Sequence, residues 1–151
     1  MTLKDVLHRI ELPPVWLAVF AAISWGVGQV VPVALPFAPV LGFGLVALGA
    51  ALMLVSVAQM TRARTTVMPR NTPAKLVTGG VFALSRNPIY LADVVILSGL
   101  MLIWHAVLAA PLIAVFIAVI TRRFIRGEEA AIAAAHGTEY AAYCTRTRRW
   151  L

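Results

Sequence analysis

Three apolar runs, residues 14–34, 40–60 and 89–120, hold a single formal charge between them, Asp93. Each of the first two is close to the roughly 20 residues that an α-helix needs to cross a bilayer. A lone segment in lipid must satisfy its own backbone hydrogen bonds, so these runs are predicted to be helices rather than strands. Hydrophobic residues make up 61% of the chain and charged ones only 13%, against roughly 45–50% and about 25% in soluble domains. The third run is interrupted at Trp104-His105 and again at Pro111. It is too long for one span and too short for two, and predicts a tilted or partly crossing hairpin. Two helices of about fifteen residues would each reach about 22 Å at 1.5 Å per residue, less than the roughly 30 Å of hydrocarbon. The expected fold is all-α and polytopic, with about four transmembrane or membrane-embedded helices and a cytosolic C-terminal helical segment. One domain, 1–151, is expected. Residues 1–60 supply an amphipathic N-terminus and a first hairpin; residues 61–151 supply a polar loop, the second hairpin and the tail.

The formal charge of +7 is distributed as membrane topology rather than as a nucleic-acid-binding face. Lys4 and Arg9 precede the first run, Arg62, Arg64, Arg70 and Lys75 lie between the second and third, and Arg122, Arg123, Arg126, Arg146, Arg148 and Arg149 follow the last. The other two connections carry no lysine or arginine, which places both termini and the central loop on the cytoplasmic side. Residues 3–11 read as an interfacial helix with Val6, Leu7 and Ile10 on one side, not as a cleavable signal. Cys144, the only cysteine, excludes an internal disulfide and cysteine metal clusters. His8, His105 and His136 are too scattered for a metal site.

Small residues recur on both of the first helices. Ala18, Ala22 and Gly26 form a stripe on the first, and Gly42, Ala47, Gly49 and Ala51 offer close-contact sites on the second. The link over residues 35–39 allows only an antiparallel turn, so the two are expected to pair.

Between the second and third runs the chain reads Lys75-Leu76-Val77-Thr78-Gly79-Gly80-Val81-Phe82-Ala83-Leu84-Ser85-Arg86-Asn87-Pro88-Ile89-Tyr90. Pro88 disfavours helical dihedrals at Asn87 and then starts a helix well, making Asn87 a plausible cap. Arg86 beside the first-turn amides would attract a carboxylate or phosphate, while Tyr90 offers a ring and a hydroxyl. Glu128 and Glu129 follow the last apolar run among arginines; one carboxylate could accept hydrogen bonds from a ligand while the other pairs with an arginine. Asp93, an ionisable group inside an apolar helix, interacts with the helix dipole, faces Arg86 or Lys75, or lines a cavity. Gln59 and Thr61 could line the same cavity. Gly137 reads as the left-handed stop of an alanine-rich helix over residues 126–136. Tyr140 and Tyr143 share a helical face, and the ending Arg146-Thr147-Arg148-Arg149-Trp150-Leu151 suits a headgroup contact.

The run from Lys75 to Phe82, then Ser85 to Tyr90, then Glu128-Glu129, then Gly137-Thr138-Glu139-Tyr140 and Tyr143, resembles the isoprenylcysteine carboxyl methyltransferase and phospholipid methyltransferase family. The resemblance covers the second half of the chain; many relatives have histidine where this chain has Asn87. It implies an integral membrane enzyme transferring a methyl group from S-adenosylmethionine to a lipophilic or membrane-associated carboxylate, thiol or amine. By resemblance Lys75, Gly79, Gly80, Arg86, Asn87, Pro88, Tyr90, Glu128 and Glu129 bind the cofactor, with Arg86 and Glu129 also acting in catalysis. Tyr140, Tyr143, Arg146 and Arg149 are assigned to the substrate side or a lid, and no metal is expected. Partners would be the lipid bilayer and the lipophilic substrate, which enters laterally between helix pairs, in an inner membrane of prokaryotic type. Two other classes fit parts of the sequence: an NADPH-dependent membrane reductase related to sterol reductases, and a non-enzymatic membrane subunit or scaffold.

Overall fold

A computed structural model describes residues 12–65 and 75–151. The expected interfacial helix over residues 3–11 lies outside the described residues. Within them every regular element is helical: α1 (Pro13–Val30), α2 (Ala38–Arg62), α3 (Pro88–Ile103), α4 (Pro111–Ile120) and α5 (Arg126–Arg146), with single 3-10 turns at Gly80–Ala83 and Val107–Ala109. All of α1 to α4 have proline in their first turn, where its missing N–H has no intrahelical partner to lose.

α1 and α2 are long and apolar enough to cross a membrane, and only 22% and 17% of their apolar windows are buried within the protein. Leu41, Phe43, Leu48 and Leu54 on α2 are 58–70% exposed. A core helix of a soluble protein would hide such residues, whereas lipid accepts them without cost. α3 has 16 residues and α4 ten, short as the interrupted third run predicts. α4 does not end at the apolar boundary: one π turn, Thr121–Ile125, carries it directly into α5.

The expected pairing of α1 with α2 is not what forms. α3 lies between them and packs along α2, with α1 and α4 on its other side. The glycines decide this. A Cβ on Gly42 would fall 2.6 Å from the Gly99 carbonyl oxygen, one on Gly99 the same distance from that of Gly42, and one on Gly49 2.9 Å from that of Ala92. Seven residues along α2 therefore match seven residues back along α3, an antiparallel contact in which the backbones nearly touch. Ala47 and Ala51 face outward, as do Ala18 and Ala22 on α1. The buried side of α1 is instead Phe20, Ser24 and Gly28, whose Phe20 ring meets Phe116 of α4 edge-on at 5.3 Å. Leu97, Met101, Ile120 and Phe124 complete this core. At the opposite end from the polar loop, Val33 N–H donates to His105 O at 2.8 Å, tying the α1–α2 link to the α3–α4 turn.

Leucine at Gly99 is expected to push α2 from α3 and cost about 1–3 kcal/mol, the usual range for overpacking. Leucine at Gly44, which meets nothing within 4 Å, should leave the thermal midpoint in detergent unchanged. Equal midpoints for both variants would contradict the close contact.

Candidate functional site

Two stretches far apart in sequence meet at one end of the helices. The loop before α3 holds Ser85, Arg86 and Asn87; α5 and the tail bring Glu128, Glu129, Tyr140, Tyr143 and Arg149 against it. The π turn matters here, because one extra residue rotates everything after it by about 100° and so sets which side of α5 faces inward. Gly137, at φ 44° and ψ −116°, interrupts α5 where a stop is expected, but the helix resumes and carries Tyr140 and Tyr143 to buried positions.

Glu129 lies between two guanidiniums. Arg149 holds it through Nε at 3.0 Å and Nη2 at 2.6 Å, both to Oε2, and Arg86 Nη2 approaches Oε1 at 3.3 Å. Hydrogen bonding to Glu129 raises the pKa of Arg149 further, so the arginine stays charged. One member of the acidic pair, Glu129, thus pairs with arginine, while Glu128 accepts from the Tyr90 hydroxyl at 2.8 Å. The arginine partners are Arg86 and Arg149, while the nearer-in-sequence Arg122, Arg123 and Arg126 are exposed; Arg123 stacks 5.1 Å over the Trp16 ring. Arg86 also contacts Cys144 Sγ through Nη1, and its Nε is buried without a hydrogen-bond partner.

The tail is built into the loop. Arg86 N–H donates to Arg148 O at 2.9 Å, Asn87 Nδ2 and Ser85 Oγ donate to Arg149 O at 3.1 and 3.2 Å, and Tyr143 Oη donates to Phe82 O. Asn87 occupies the N-cap position of α3, but its side chain does not cap the helix. That correction has a simple cause: the amide is engaged by the tail, and Ser85 Oγ accepts the Asn87 N–H at 3.1 Å. Burial pushes Tyr143 up to about 12. Burial, then the neighbouring Glu129 carboxylate, holds the Tyr140 phenol higher still. Both phenols are neutral hydrogen-bonding groups at physiological pH.

These groups line one cavity of about 350 Å³. Lys75, Arg86, Asn87, Pro88, Tyr90, Glu128, Glu129, Tyr140 and Tyr143, all singled out by sequence, are on its wall. Gly79, Gly80, Arg146 and Arg149 are not. Gly80 has φ +58°, and a Cβ there would overlap the Gln59 side chain, so its position reflects close packing of loop on α2. Gln59 and Thr61 do not line the cavity; Thr61 Oγ1 donates to Val57 O within its own helix. Arg146 is exposed at the end of α5, and Arg149 grips Glu129 from outside.

Sequence reasoning missed Ser85, fully buried, and the apolar wall made by Met53, Val57 and Met60 of α2 with Leu12 and Pro14 at the start of α1. The spacing of the α2 residues marks one helical face; that this face meets the polar loop could not be read locally. Among the described residues no cluster of potential metal ligands occurs.

Residues 37–139 match the sequence profile of the family described as Phospholipid methyltransferase. No curated protein and no solved structure matches the chain significantly.

Proposed function

Because the chain belongs to the phospholipid methyltransferase family, we propose that it transfers a methyl group from S-adenosylmethionine to a lipophilic acceptor at a membrane face. The family makes it a methyltransferase for a lipid-like substrate; the donor and the site are our reading. The observation that carries it is the convergence of Arg86, Glu129, Tyr90 and Glu128 on one mostly apolar cavity.

The residues suit such a donor. Its volume is at the lower end of the roughly 300–1,000 Å³ typical of small-molecule sites. Arg86 lines the cavity as a fixed cation, a charge that suits a ligand carboxylate. Glu128 and the neutral Tyr140 hydroxyl can take an amine or ribose hydroxyls. When bound, the sulfonium supplies an electrophilic methyl carbon, so the protein needs no covalent nucleophile. What remains for the chain is to position and desolvate. Met53, Val57, Met60 and Pro14 exclude water, and Glu129 fixes the Arg86 side chain. The start of α1 and the end of α2 flank the cavity, and their lipid-suited faces make the gap between them the natural way in for an acyl chain. Four membrane-embedded helices with the cavity on the cytoplasmic side fit the charge distribution.

S-adenosylhomocysteine, titrated into purified protein in nanodiscs, is expected to raise the thermal midpoint, because a ligand that binds only the folded state stabilises it. Stabilisation by NADPH alone would instead point to a reductase.

A further inference from the structure

Three carboxylates line the cavity, and one of them is unaccounted for. Glu129 is taken by two guanidiniums and Glu128 accepts from Tyr90. Asp93 is only 4% exposed, yet among the described residues its carboxylate meets neither a hydrogen-bond donor nor a cation. It is the sixth residue of α3, past the first turn where the helix dipole is felt. It lines the cavity together with apolar residues of three helices, Ile89 of α3, Met53 and Val57 of α2 and Ile132 of α5. A buried carboxylate with no partner among the described residues is costly enough to call for a functional reason. Along α3 it lies three residues beyond Tyr90, about 4.5 Å at 1.5 Å each.

We propose that Asp93 is a specificity-determining residue that seats a positively charged group of the reactants in the cavity. Two sources share that chemistry, an ammonium on the methyl acceptor and the sulfonium of the donor. The inference rests on the methyl-transfer reading, and gives this site a charge preference: a cationic reactant is held, an anionic one excluded.

The test compares the parent with Asp93→Asn in phosphatidylcholine nanodiscs by titration calorimetry, in two arms. One arm uses hexylamine against hexanoic acid; the other uses S-adenosylmethionine against S-adenosylhomocysteine, which keeps the amino-acid charges and lacks only that of the sulfonium. The parent should favour the cationic member of a pair. The Asn variant should bind that member roughly ten- to hundredfold more weakly, as expected for losing a charged hydrogen bond, and bind its counterpart no worse. Loss in the amine arm assigns the seat to the acceptor, and loss in the sulfonium arm assigns it to the donor. Unchanged discrimination in both arms overturns the proposal. So does a parent that prefers hexanoic acid to hexylamine and does not distinguish the two adenosyl compounds, a result that needs no variant to fold. If S-adenosylhomocysteine fails to bind the parent, the methyl-donor reading falls while the amine arm still decides the role of Asp93.

Discussion

Glu129→Gln is expected to weaken S-adenosylhomocysteine binding roughly thirty- to hundredfold, equivalent to about 2–3 kcal/mol. The substitution keeps the side chain's volume and removes its charge, leaving the guanidiniums of Arg86 and Arg149 facing each other across an amide. The Arg86–Glu129 pair is well shielded, with side chains 15% and 13% exposed, whereas the Arg149 side chain is 37% exposed. Geometry and burial therefore rank the two contacts oppositely. Arg149 makes the shorter, two-pronged contact, but water screens it; Arg86 makes the longer contact where screening is weak. Burial should prevail, because breaking a buried pair leaves an uncompensated charge whereas a surface pair is worth about 0–1 kcal/mol. Arg149→Gln should accordingly cost no more than about fivefold. Calorimetric titration of both variants checks this, with circular dichroism to show intact helices. A Glu129→Gln protein that binds within threefold of the parent would remove the ion pair from the site.

The sequence carries α1 and α2 to within four residues at each boundary, 14–34 being expected against Pro13–Val30 and 40–60 against Ala38–Arg62. Partner choice is less legible. Gly42 and Gly49 announce a close helix contact, but nothing local distinguishes α1 from α3 as the partner; that is decided by which helix also brings backbone close, and Gly99 and the small Ala92 do so on α3. The continuity of α4 into α5 was hidden for a related reason. Composition changes abruptly at Arg122, from lipid-suited to water-suited residues, and a change of solvent need not be a change of conformation. At the site, Arg86, Tyr90, Glu128 and Glu129 were legible as motif residues. Arg149 was assigned to the substrate side or a lid and not to Glu129, since that pairing depends on backbone that turns extended at Thr147 (φ −129°, ψ 127°) and folds back over the loop.

That returning backbone leads to the second large effect. A protein ending at Arg146 is expected to lose measurable S-adenosylhomocysteine binding while keeping helices α1 to α4. The loop before α3 has no regular structure of its own beyond one 3-10 turn, and much of what fixes it comes from residues 147–149. Carbonyls of Arg148 and Arg149 accept from the Arg86 backbone, the Asn87 amide and the Ser85 hydroxyl, and Thr147 Oγ1 reaches Ala83 O at 3.4 Å. At about 1 kcal/mol for each ordinary hydrogen bond, losing them leaves Arg86 free to sample many positions, and an arginine that is not held in advance must be ordered by the ligand at the ligand's expense. Comparing this truncation with Arg149→Ala separates backbone from charge, because the alanine variant keeps the Arg149 carbonyl and loses only the guanidinium. The truncated protein should fall well below Arg149→Ala in affinity, with similar helix content by circular dichroism. Equal affinities would mean that the tail acts through the Arg149 charge alone, and binding as tight as the parent's would mean that the loop holds its shape without it.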